Sequence, residues 1–300
     1  MLKKLLTSLG SIVAIISLGF ISQQLFANWH KVDNYQFTYA AIGTLILGVF
    51  AYAGASFFLS SAWYQILSSL STHSLSVQFI RSIYARSQIA KYIPGNVMHI
   101  ASRHISLNRL GISHKPLALA SLTEIIGLVS AASTFAVIGS VLFGIRGEYI
   151  QQQQLYYGLA VSGIFLLFLP IIFKVSLRLF PASRNLLVNP RLQRVLLRTY
   201  CEYLLFFAIA GAILVGLVFQ VQGSLGFNNI LAIIACFSIS WLAGFIAPGA
   251  PSGIGIRETI LVVSLDKILL TGNGVLIAIL FRLITVAGDV LFFVVAGRRE

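Results

Sequence analysis

Long apolar runs divide this chain. Windows of about 20 residues that are apolar enough to cross a bilayer core of about 30 Å lie near 5–25, 39–68, 117–145, 153–174, 195–220, 229–247 and 275–297. Two further stretches, 79–100 and 248–271, are too interrupted for an ordinary span and too apolar for an ordinary loop. The pattern predicts an all-α polytopic integral membrane protein of seven or eight transmembrane helices with two re-entrant or broken segments, an eighth crossing falling within 254–271. We read residues 1–300 as a single transmembrane domain.

Composition agrees with this pattern. The chain is 58% hydrophobic and 10% charged, against about 25% charged residues in a typical soluble domain, and its mean hydropathy is +0.91. Lys3 and Lys4 precede the first span, whose apolar core is longer than a signal peptide's and lacks a small-residue cleavage site, so a retained anchor is expected.

Basic residues set the orientation. With the N-terminus inside, Lys3 and Lys4, the group Arg81, Arg86, Lys91, Arg103, Arg109 and Lys115, and the group Lys174, Arg178, Arg184, Arg191, Arg194 and Arg198 all face the cytoplasm, and Lys31 and Arg146 face outward. The expected location is therefore the cell (inner or cytoplasmic) membrane with a cytoplasmic N-terminus. A net charge of +13 without any nucleic-acid module points to anionic lipid and not to nucleic acid.

No P-loop, His-Glu-x-x-His or cysteine ligand spacing occurs, so no cofactor and no metal is expected. The candidate chemistry lies in the two interrupted stretches. In Lys91-Tyr92-Ile93-Pro94-Gly95-Asn96, Pro94 and Gly95 stop a helix arriving through Arg86. Asn96 can then cap a new helix, whose N-terminal amides would form an anion site with Lys91 and, at greater distance, Arg86 and Arg103. The competing reading is an amphipathic loop that bends at a proline. The second stretch, from Pro248 and Gly249 through Gly253 and Gly255 to Arg257 and Glu258, predicts a short helix after Gly255 that carries an adjacent cation and anion in its first turns. Charge at membrane depth faces protein or water. Arg257 there can grip a phosphate with its planar fork, with Glu258 holding it or pairing with another helix; a structural ion pair is the alternative.

Glu124 stands two turns inside its span, and Arg282, Thr285 and Asp289 share one helical face. Each either meets a cavity or joins helices. Arg198 and Glu202 have the spacing of an i, i+4 pair, and Ala51 with Ala55 and Ala208 with Ala212 have that of close helix packing.

Together, Lys91-Tyr92-Ile93-Pro94-Gly95 and the Gly253-Ile254-Gly255-Ile256-Arg257-Glu258 segment resemble the paired signatures of the lysylphosphatidylglycerol synthase transmembrane region, the flippase-like domain family. The resemblance covers most of the chain. It implies movement of lipids or lipid-linked sugars between leaflets, with an anionic phospholipid or a polyprenyl-phosphate-linked sugar as partner, in envelope lipid or polysaccharide biogenesis. Because the sequence ends at Glu300 just after the last span, aminoacyl transfer is not expected, and an enzyme is the less favoured reading. The expected site joins Arg86, Lys91, Tyr92, Pro94, Gly95, Asn96, Arg103 and Glu124 with Pro248, Gly249, Gly253, Gly255, Arg257 and Glu258, in a transport reading without catalytic residues. Two other classes stay open: a polyprenyl-phosphate-dependent glycosyltransferase using Glu124 or Glu258, and a non-transporting accessory subunit of an envelope assembly complex.

Overall fold

The computed structural model describes residues 38–92, 98–146, 190–247, 251–269 and 273–298. Eight α-helices run through them: α1 Tyr39–Leu70, α2 Val77–Ala90, α3 Met98–Asn108, α4 His114–Arg146, α5 Pro190–Gln222, α6 Phe227–Ile246, α7 Ile256–Leu269 and α8 Gly274–Ala296. A single 3-10 turn, Pro251–Gly253, precedes α7. The protein is all-α and polytopic, and five of its helices (α1, α4, α5, α6 and α8) are long and apolar enough to cross a membrane. They coincide with five of the expected spans. The spans expected near 5–25 and 153–174 lie outside the described residues.

Local chemistry explains the helix ends. Thr38 caps α1 by accepting the Ala41 amide at 3.2 Å. Pro190 opens α5 in the first turn, where a backbone N–H has no intrahelical acceptor to lose. By contrast, α2 and α7 have 14 residues and α3 has 11. At 1.5 Å per residue they reach only about 16–21 Å, short of a bilayer core, so α7 does not supply an eighth full crossing.

At the centre, α1 touches α2, α4, α5 and α8; α6 lies against α4, α5 and α7; and α7 rests on both α6 and α8. Aromatic side chains fill the junction: Phe207 meets Trp241 edge-on at 5.1 Å, Phe237 meets Phe281 at 5.4 Å, and Trp241 stacks on Phe245 at 5.2 Å. Such geometries add to the area the rings bury. Outward, α1 exposes Ile46, Leu47 and Phe50 and α8 exposes Leu283, Val290 and Val294. In water such stripes would drive association; acyl chains cover them at no cost.

One packing expectation needs correction. Ala212 is exposed, so the Ala208–Ala212 pair is not the contact surface of α5. The close approach is one position over, at Gly211, where an added Cβ would stand 2.9 Å from the Ile234 side chain on α6. Small-residue spacing recurs along any apolar helix and does not say which face meets a neighbour. Arg198 and Glu202 do pair, at 3.7 Å, and Glu202 also accepts from Ser61 at 3.1 Å and Gln65 at 2.8 Å on α1.

Candidate functional site

Beyond α2 the chain makes one more turn, in which the Tyr92 amide bonds the Ile89 carbonyl at 3.2 Å. This turn carries Lys91 and Tyr92 against α8. There the Lys91 ammonium meets Asp289 Oδ2 at 2.7 Å, and the Tyr92 hydroxyl donates to the same oxygen at 2.6 Å. Asp289 is therefore doubly held.

From the opposite side come α6, the 3-10 turn and α7. Ser252, Gly253 and Gly255 adopt φ of 53°, 67° and 88°, a left-handed run that turns the backbone sharply before α7 and that glycine adopts at least cost. The Gly255 amide donates to Glu258 Oε2 at 2.6 Å, which is one half of a capping box. This places Arg257 in the first turn, its stem in a slot between two glycines. A Cβ added at Gly244 would sit 2.6 Å from Arg257 Nε, and one at Gly253 would sit 2.9 Å from it. Beyond the slot, the guanidinium lies 5.4 Å from the Trp241 ring centroid, within cation–π range.

Glu258 turns to α8 and not to Arg257: its nearest cation is Arg282, at 3.4 Å. Of the roles expected for this carboxylate, the pairing with another helix is the one found. Arg282 in turn lies 5.6 Å from the Tyr92 ring, linking the two halves of the site. Arg257 Nε and Arg282 Nη2 are both buried without a hydrogen-bond partner.

These groups enclose a cavity of about 40 Å³ lined by Tyr52, Lys91, Tyr92, Trp241, Arg257, Glu258, Arg282 and Asp289, with the hydroxyls of Ser240, Ser252 and Thr285. A second cavity of about 80 Å³ shares Tyr52, Lys91, Trp241, Ser252, Arg257 and Asp289 with the first and extends past Gln88 and His99 to Glu124. A water needs roughly 10–15 Å³ of such space, so both chambers are wide enough to be wet.

The expected residues divide on this geometry. Lys91, Tyr92, Arg257 and Glu258, contributed by distant parts of the sequence, meet in one chamber; Glu124 lines the larger one. Gly253 shapes the Arg257 slot and Gly255 caps α7. Pro94, Gly95, Asn96, Pro248 and Gly249 lie outside the described residues. Arg86 stands apart from the cavity, with Nε and Nη2 donating to the Gly297 carbonyl at 2.9 and 2.7 Å, where it caps the end of α8. Arg103 is also absent from the lining. It is 1% exposed, binds Glu124 through Nη1 at 3.0 Å and Nη2 at 2.8 Å, and lies between the Trp63 and Tyr84 rings at 4.6 and 4.5 Å. Its charge is thereby spent on fastening α3 to α4. Sequence reasoning weighed Arg282 and Asp289 without choosing them and passed over Tyr52, Trp241 and Gly244. A charged pair seven residues apart inside an apolar helix was the available signal for the first two.

Among the described residues no three His, Cys, Asp or Glu side chains converge as a metal site. Compared with known proteins, the chain matches no model of a protein family and no curated relative.

Proposed function

We propose that this chain is a membrane translocator that takes the anionic headgroup of a lipid or lipid-linked saccharide into the cavity between α2, α6, α7 and α8 while the acyl or prenyl tails stay in the bilayer. One observation carries the reading. Two guanidinium groups, Arg257 and Arg282, line one cavity, and each keeps one buried N–H without a partner, which is costly unless something in the site offers an acceptor. A phosphate suits that role, because guanidinium geometry matches paired anionic oxygens. Lys91, held by Asp289, supplies a third cation close by.

The carboxylates count against the glycosyltransferase reading. Glu258 is engaged by Arg282 and the Gly255 amide, and Glu124 by Arg103 and the Tyr84 hydroxyl. Neither stands free to act as a base. The resemblance of the two motifs to the flippase-like domain family agrees with transport, and the basic clusters support a cytoplasmic-membrane location with the N-terminus inside.

Reconstitution into liposomes with a leaflet-labelled anionic lipid tests the proposal. Labelled lipid should equilibrate between leaflets faster than in empty vesicles, and Arg257→Ala should return the rate to background. Equal rates with and without the wild-type protein would overturn it.

A further inference from the structure

The ionisable side chains lining the cavity allow its charge to be counted. Around the smaller chamber stand three cations, Lys91, Arg257 and Arg282, and two carboxylates, Glu258 and Asp289. One positive charge is left over. The larger chamber adds Glu124, which is matched by its own Arg103 at 2.8 Å. His99 contributes none, because burial first, and then Arg103, Lys91 and Arg257, disfavour its protonated form. A proton shared between Lys91 and Asp289 would leave the sum unchanged.

Several of the lining donors are already engaged. Tyr92 already gives its hydroxyl proton to Asp289, Ser240 gives its own to the Arg257 carbonyl at 2.8 Å, and Thr285 gives its own to the Arg282 carbonyl at 3.0 Å. Arg257 Nε and Arg282 Nη2 are buried without an acceptor, and the hydroxyls of Tyr52 and Ser252 also line the cavity. A ligand with two anionic oxygens sharing one charge matches the two guanidinium groups. In a poorly screened interior, a ligand that leaves a net charge behind is penalised.

We infer that this cavity selects headgroups of a single net negative charge, a phosphodiester-linked lipid, over phosphomonoester or diphosphate lipids and over zwitterionic ones. The inference rests on the proposed occupancy by a lipid headgroup and goes further by fixing the charge class. Asp289 and Glu258 become specificity-determining residues, since each cancels one cation that would otherwise recruit a second anionic charge.

Native mass spectrometry of the purified full chain, offered equimolar mixtures of phosphatidylglycerol, phosphatidylcholine and phosphatidic acid, reads this directly. The comparison is made at about pH 9, where a phosphomonoester carries two charges. Phosphatidylglycerol should be retained over each competitor by about tenfold. Asp289→Asn and, independently, Glu258→Gln should each shift the order toward phosphatidic acid. Phosphatidic acid retained as well as phosphatidylglycerol by the wild type, or all three retained alike, would overturn charge selection while leaving lipid binding intact. Retention of none would overturn the proposed function and this inference together. If soluble glycerophosphoglycerol displaced phosphatidylglycerol at equal concentration, the ligand would be a free phosphodiester and the lipid source would be wrong, with the charge order upheld.

Discussion

Arg257 and Arg103 show how differently two arginines in one apolar chain can be used. Arg103 is enclosed: a carboxylate accepts its N–H groups and two aromatic rings flank it. Removing it by Arg103→Ala strands the buried Glu124 charge, and such losses cost about 3–5 kcal/mol. The detergent-solubilised variant should melt well below the wild type, and Arg103→Met with Glu124→Leu should recover most of the loss, because the double change leaves no charge unpaired. Arg257 has no such partner at Nε. Its removal should lower lipid retention and transport by roughly ten- to a hundredfold, the value of one to two charge-assisted contacts, with little change in melting. Gly244→Ala tests the slot, since a methyl group 2.6 Å from Arg257 Nε must push the side chain aside. It should reproduce the transport loss of Arg257→Ala in a folded protein; unaltered transport would show that the stem's position is unimportant.

At the level of elements, the contrast between long and short helices organises the molecule. The long helices α1, α4, α5, α6 and α8 were readable because 20-residue apolar windows follow directly from bilayer thickness. The turn before α7, at Gly253 and Gly255, was readable because glycine interrupts a helix and takes a left-handed backbone at least cost, and Arg257 with Glu258 emerged from the same signal. Which charge meets which was not legible. Glu258 lies next to Arg257 in sequence, but successive residues on a helix point about 100° apart, and it is Arg282 on α8 that receives the carboxylate. Arg86 looked like a site residue by proximity to Lys91, yet five positions along α2 its side chain reaches the end of α8 instead. Gly288 marks a close approach of α8 to α1: an added Cβ there would stand 2.8 Å from the Tyr52 ring and 3.2 Å from the Val49 carbonyl. Gly288→Val should force these helices apart at a cost of about 1–3 kcal/mol, in line with overpacked cores, and should perturb the cavity through Tyr52. A melting point equal to that of the wild type would mean that the contact is loose.

For the whole molecule, the decisive asymmetry is electrical. The basic groups 81–115 and 174–198 contain no acidic residue; Lys91 and Arg103 of the first group turn into the bundle and stand beside Asp289 and Glu124, as Arg282 stands beside Glu258, and the rest have no carboxylate in their own stretch. Unmatched charge outside the apolar windows has a different physical task from matched charge within them: it holds its segment on the side of the bilayer where anionic lipid and the membrane potential favour cations. If so, Arg194, exposed in the first turns of α5, lies on the cytoplasmic face together with the N-terminus. Arg194→Cys, in a background where exposed Cys201 is replaced by serine, should react with a membrane-impermeant maleimide in inverted vesicles and resist it in right-side-out cells. Labelling from outside the cell would invert the whole topology. The cavity's charge would survive that inversion, but the leaflet from which an anionic headgroup reaches Arg257 would not.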